Sequence, residues 1–145
     1  MSNLQPGANN PNNPDAEKLG SALFDIEAIQ SGWSQATFGL DCVRGPQGPL
    51  AHLAKETEEV KAAYENVRML RLMGVSENEL AFHESECLTE FADCGLLLLD
   101  ALRRAGFTLQ ALIESMRAKQ QINIARKWPK STSDLPVLHI KEGSD

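Results

Sequence analysis

Two pairs of acids at helical spacing carry most of the chemistry this sequence can offer. KETEEV, residues 55–60, sets Glu56 three positions before Glu59, and TEFADCG, residues 89–95, sets Glu90 three before Asp93. Residues three apart lie on one side of a helix, one turn along. Both segments otherwise read as amphipathic helix: Leu53 and Val60 share the side of the first pair, and Leu88, Phe91 and Leu96–Leu99 border the second. If the two stripes face each other, four carboxylates converge. That is costly unless they pair, stay protonated or hold metal. Spacing alone leaves two readings open: acids solvated at a stripe edge or paired with Lys55, Lys61 and Arg103, and a metal site.

The ligand types narrow the metal. Carboxylate-bridged di-iron bundles also use Glu-x-x-His pairs, and this chain has none. His52 lies four before Glu56 and His83 four before Cys87, with no further ligands nearby, so zinc fits poorly. An all-oxygen set favours Mg²⁺ or Mn²⁺, whose open positions take water and phosphate oxygens. Magnesium-dependent phosphate chemistry is the expectation.

Three other features bear on it. Lys119, Asn123 and Arg126 follow one another at i, i+4 and i+7 in AKQQINIARKWP, a cationic and amide-bearing stripe that could hold phosphate oxygens. A solvated charge cluster favoured by the helix dipole gives the same pattern. Trp33, one of two tryptophans, could stack on a base or fill a core or interface. Asp100, seven after Asp93, could anchor Lys119 or Arg126, or meet Arg103 or Arg104.

The elements that must position these residues read as helices. Residues 16–31 space Leu19, Leu23, Ile26 and Ile29 on one face, and GWSQATFG could continue that helix before the Gly/Pro-rich LDCVRGPQGP breaks it. A second helix is expected from near Pro49 to near Gly74, with Leu50, Leu53, Val60, Ala63, Val67 and Leu70 as its stripe. SENE, residues 76–79, is a capping box opening a third that runs to about Ala105, with Gly106 as terminator. Thr108 could cap a fourth, LQALIESMRAKQQINIARKW, ended by Pro129. The expectation is an all-α, four-helix core over residues 16–130. Flanking it are a disordered Asn/Pro/Gly-rich tail over 1–15 and a tail over 131–145 whose LPVLHI run could dock or form a short extended piece.

Bulk properties set outer limits. A chain of 145 residues suits one domain, and a net charge of −6 opposes non-specific nucleic-acid binding. The longest strongly apolar run, CGLLLL, is stopped by Asp100 and is too short to span a bilayer. The first residues lack a basic region followed by an apolar one, so no membrane partner or secretion signal is expected and the cytoplasm is the expected compartment. Cys42, Cys87 and Cys94 form an odd set without framework spacing, consistent with reduced thiols, and Cys87 and Cys94, seven apart on one helix face, read as core positions.

Four blocks occurring in order, WSQATFG, GPLAHLAKETEEV, LTEFADCGLLLLDALRRAGFT and KQQINIARKWP, together resemble the MazG-like all-α nucleoside triphosphate pyrophosphohydrolases. Within that superfamily they resemble the phage and bacterial dATP/dGTP subgroup that includes the MazZ-type enzymes. The resemblance covers roughly residues 30–130. It implies a four-helix core that dimerises, with dimers pairing further in some members. It also implies hydrolysis of a purine deoxynucleoside triphosphate, dGTP or dATP, between the α and β phosphates.

Carried over by position, it makes Glu56, Glu59, Glu90 and Asp93 ligands of two to three Mg²⁺ or Mn²⁺ ions, with Glu56 and Glu59 as catalytic candidates. Lys119, Asn123 and Arg126 would hold the triphosphate, and Trp33 would border the base. The family context is nucleotide-pool reshaping, in phages that make 2-aminoadenine DNA, within the host cytoplasm. Related enzymes act on dUTP or dCTP, and a non-catalytic helical interaction protein is the reading from another class. Thirty residues separate Glu59 from Glu90, more than in compact members, which lengthens both helices.

Overall fold

The computed structural model describes residues 14–140 and is all-α, with no strand among the described residues. The order is α1 (Pro14–Phe38), α2 (Gln47–Met73), α3 (Glu77–Arg104) and α4 (Leu109–Ala125). Nearly all of the expected N-terminal tail lies outside the described residues, and its last two positions already belong to α1. The chain packs as two units, one through Leu109 and one from Gln110 onward.

Glycine and serine fix the breaks. Gly74 takes a left-handed φ of 69° and ends α2: its N–H reaches the Arg71 carbonyl, and the Val75 N–H reaches that of Leu70. Gly106, with φ 85°, ends α3 in the same way, through its own N–H to Arg103 and that of Phe107 to Leu102. Glycine is favoured at both because a Cβ is strained in that region. Ser76 opens α3 by accepting a hydrogen bond from the Glu79 N–H at 3.3 Å. Two boundaries of the first unit become definite. α1 runs on through Trp33 to Phe38, and α2 starts two residues before Pro49, which costs nothing because a first-turn N–H has no helical partner.

α2 and α3, joined by the tight turn at residues 74–76, form an antiparallel pair, and α1 packs on α3. Their contact has a heptad-like seam. Along α2 the buried or half-buried positions include Leu53, Glu56, Val60, Ala63, Val67 and Leu70; along α3 they include Leu80, His83, Cys87, Glu90, Cys94, Leu97 and Ala101. Both alternate steps of three and four, the repeat that keeps one stripe facing a partner helix. Glu56 and Glu90 thus stand in seam positions, where an apolar side chain would ordinarily sit.

In the second unit, α4 stops at Ala125 rather than at Trp128. The Asn123 carbonyl accepts from both the Arg126 N–H and the Trp128 indole N–H, at 3.3 and 2.7 Å, which turns the chain out of the helix. The LPVLHI segment folds back on that end: the Ile140 N–H donates to the Lys127 carbonyl at 2.9 Å, and the His139 ring meets Trp128 edge-on. No helix among the described residues is long and apolar enough to cross a membrane.

Candidate active site

The seam brings three of the four acids together. Glu56, Glu90 and Asp93 each place one carboxylate oxygen so that the three lie within 4.8 Å of one another. Glu56 is the deepest, only 7% exposed. Glu59 stands at the flank, half-buried, its carboxylate held by Lys55 at 2.6 Å. Lys61 binds Glu58 instead, and Arg103 lies with Asp41 and Asp100, so among the expected cations Lys55 alone partners the acid pairs.

Charge crowding shows in the titration of these groups. Burial, together with Glu59, Glu56, Asp93 and Glu86, pushes the Glu90 carboxyl above its ordinary range. The hydrogen bond from Lys55 holds Glu59 below its own, and the same bond raises Lys55. Burial and the neighbouring Glu56, Asp93 and Glu90 push the Cys94 thiol up, which keeps it protonated and unreactive. A small all-oxygen cluster with surplus negative charge suits a hard divalent cation.

His52 completes this side, with Nε2 2.7 Å from a Glu56 oxygen. The sequence did signal it, since 52 and 56 stand at i, i+4, but a search for zinc ligands passes over a histidine that supports a carboxylate. Glu56 and Asp93 open onto a cavity of about 590 Å³ that His52, Trp33, Phe38 and Ile29 also line. Trp33 is 54% exposed and meets Phe38 edge-to-face at 5.4 Å. It therefore borders the same space as the acids, offering a broad apolar surface.

Asp100, 4% exposed, meets α3's own arginines. Its carboxylate accepts from Arg103 at 2.6 Å, from Arg104 at 3.1 Å and from the Ser34 hydroxyl at 2.9 Å, while Arg103 also grips Asp41 at 2.7 Å. Burial alone would raise the Asp100 carboxyl; the serine and the two guanidiniums outweigh it and hold it below its usual range. The network ties α1, the α1–α2 loop and α3 together beside the cavity.

In the other unit, Lys119 and Asn123 border a shallow groove on α4 with Met116 and Gln120. Arg126 lies just past the helix end and turns back to the Asn123 side-chain oxygen at 3.3 Å. The α4 stripe is therefore present as a Lys–Asn pair followed by a folded-back arginine.

Comparison with known proteins bears on the later two motif blocks. The Eaa protein of Salmonella phage P22 is 43% identical over 53 residues, which is 37% of this chain and 17% of that protein, so the match spans a small part of the relative. No solved structure matches. The family model described as dATP/dGTP pyrophosphohydrolase matches residues 76–145, which include Glu90, Asp93 and the α4 stripe but not Glu56 and Glu59. Over those residues, just under half of the chain, it is similar to the dATP/dGTP pyrophosphohydrolase family that its motif blocks resemble.

Proposed function

We propose that this protein hydrolyses a purine deoxynucleoside triphosphate, dGTP or dATP, to the monophosphate and pyrophosphate in a metal-dependent reaction. The observation that carries the reading is the convergence of Glu56, Glu90 and Asp93, two of which, Glu56 and Asp93, line a cavity that Trp33 also borders. An apolar-flanked seam gives up stability by holding those acids, a sacrifice expected at a working site. The family description of residues 76–145 supports the purine substrate.

Glu56, Glu90 and Asp93, with Glu59 once released from Lys55, would hold two to three Mg²⁺ or Mn²⁺ ions. Bound there, such ions supply charge neutralisation for the triphosphate and acidify a water molecule. The chain's own residues do the remaining work. Trp33 receives the base, and His52 steadies Glu56. One of the carboxylates Glu56 and Glu59 takes the proton of the attacking water. The water oxygen bonds to the α phosphorus as the bond from that phosphorus to the bridging oxygen breaks, and the bridging oxygen leaves with pyrophosphate. Lys119, Asn123 and Arg126 are proposed to hold phosphate oxygens. Exposed apolar side chains on α1 and α3, among them Ile29, Leu88 and Phe91, favour a homodimer or homotetramer. The proposed setting is a host cytoplasm in which a phage reshapes the nucleotide pool, with dGMP feeding 2-aminoadenine synthesis.

The test is a product assay with dATP, dGTP, dCTP, dTTP and dUTP in Mg²⁺ or Mn²⁺, resolved by chromatography. A monophosphate and pyrophosphate that vanish with chelator are expected, fastest from a purine. Fastest turnover of dUTP or dCTP would move the chain to the pyrimidine branch of the superfamily. No turnover by metal-loaded protein would leave the acid cluster without this reaction.

A further inference from the structure

A second cavity of about 430 Å³ adjoins the acid-lined one, and the two share Phe38, His52, Leu97 and Asp100 as a common wall. Their remaining linings differ in charge. Glu56, Asp93 and Trp33 border only the first, while Arg44 and Arg104 border only the second. The charges in the shared wall are already committed: Asp100 is matched by Arg103 and Arg104, and His52 faces Glu56. Arg104 is itself bound to Asp100 and to the Ser34 hydroxyl. Arg44, on the α1–α2 loop, makes no ion pair among the described residues, so its charge is the surplus one in the second cavity. Side chains are also missing from part of that wall: a Cβ placed on Gly45 or Gly48 would meet nothing within 4 Å.

We propose that this second cavity is the subsite for the pyrophosphate end of the substrate, with Arg44 as its cationic ligand. The inference rests on the proposed reading of the acid site and deepens it. A nucleotide with its base against Trp33 and its α phosphate beside Glu56 and Asp93 then points its β and γ phosphates past His52 toward Arg44. A guanidinium is suited to this end, because its planar donors bind phosphate oxygens two at a time and it stays charged at any working pH. Arg44 stabilises the group that departs, and product pyrophosphate occupies the same place before release.

Isothermal titration of the Mn²⁺-loaded full chain with inorganic pyrophosphate and with dGMP tests this, using wild type, R44A, R44K and K119A. R44A is expected to weaken pyrophosphate binding about tenfold or more, the scale of one lost charge-assisted hydrogen bond. R44K should recover part of that, and Mn²⁺ and dGMP binding should be unchanged in R44A. Pyrophosphate bound equally by wild type and R44A, or weakened by K119A alone, overturns the subsite and leaves the acid-site reading standing. Wild type that binds Mn²⁺ but no pyrophosphate also overturns the subsite. Wild type that binds no Mn²⁺ overturns the acid-site reading and takes the subsite with it.

Discussion

His52 Nε2 lies 2.7 Å from a carboxylate oxygen of Glu56, one turn along α2, so a half-open imidazole holds the most deeply buried acid of the cluster. With Nε2 protonated the ring donates to that oxygen and leaves the other free to face a cation. H52A is expected to lower Mn²⁺ affinity about 10- to 100-fold, the usual effect of losing a partner that orients a metal ligand. H52Q, which can still donate, should recover part of it. Unchanged Mn²⁺ titrations for both variants would show that Glu56 needs no such support.

E90Q separates stability from activity. The Glu90 carboxyl is raised by burial and by the surrounding acids, so in metal-free protein it opposes folding near neutral pH. A raised folded pKa means that the folded state binds more protons, and stability grows as pH falls through the raised range. The variant should melt higher than wild type at pH 7 without metal, lose most of that advantage in mild acid, and turn over nucleotide about a hundredfold more slowly or worse. A variant that melts lower and keeps its activity would return the acids to the role of a solvated stripe.

Asp100 has the opposite sign. Its folded pKa is depressed, so its contribution is present above the ordinary aspartate range and is lost as pH falls through the lower folded value. D100N strands Arg104, which is 3% exposed at its side chain, and loosens Arg103. Removing one member of a buried ion cluster typically costs about 3–5 kcal/mol. Urea unfolding at pH 7 measures this, and a loss below about 1 kcal/mol would mean that Ser34 and Asp41 suffice as partners.

Leu88, Phe91 and Leu98 expose a second apolar stripe on α3, displaced from the seam. Light scattering of wild type should report a dimer or larger species. The double variant L88E/F91E is expected to shift it toward monomer. A double variant that keeps the wild-type mass would place the interface elsewhere.

The break points were legible because each depends on one local rule: Gly74 and Gly106 supply left-handed φ, and Ser76 supplies a cap. The acid pairs were legible as spacing. What spacing could not tell was that Lys55 would hold Glu59 aside while Glu56, Glu90 and Asp93 met, because that depends on the register between α2 and α3. The partners of Asp100 were half legible. Arg103 and Arg104 lie within a turn, whereas Ser34 reaches it from 66 residues away, a distance that no local pattern encodes. The early end of α4 was hidden for a related reason: an indole hydrogen bond displaced a helix that propensity alone would have continued to Pro129.

The seam also acts as a ruler. Glu56 and Glu90 face each other because the arms beyond them, up α2 to Leu70 and down α3 from Leu80, repeat in threes and fours. The thirty residues between Glu59 and Glu90 are therefore spare length measured in heptads. Cutting seven residues from each arm should shorten the hairpin and still return the acids to register, with a drift of only about 20° per heptad. Cutting three or four from one arm alone would slide one acid pair about a helical turn along the seam past the other, with a rotation of roughly 40–60°, while leaving every ligand in the chain.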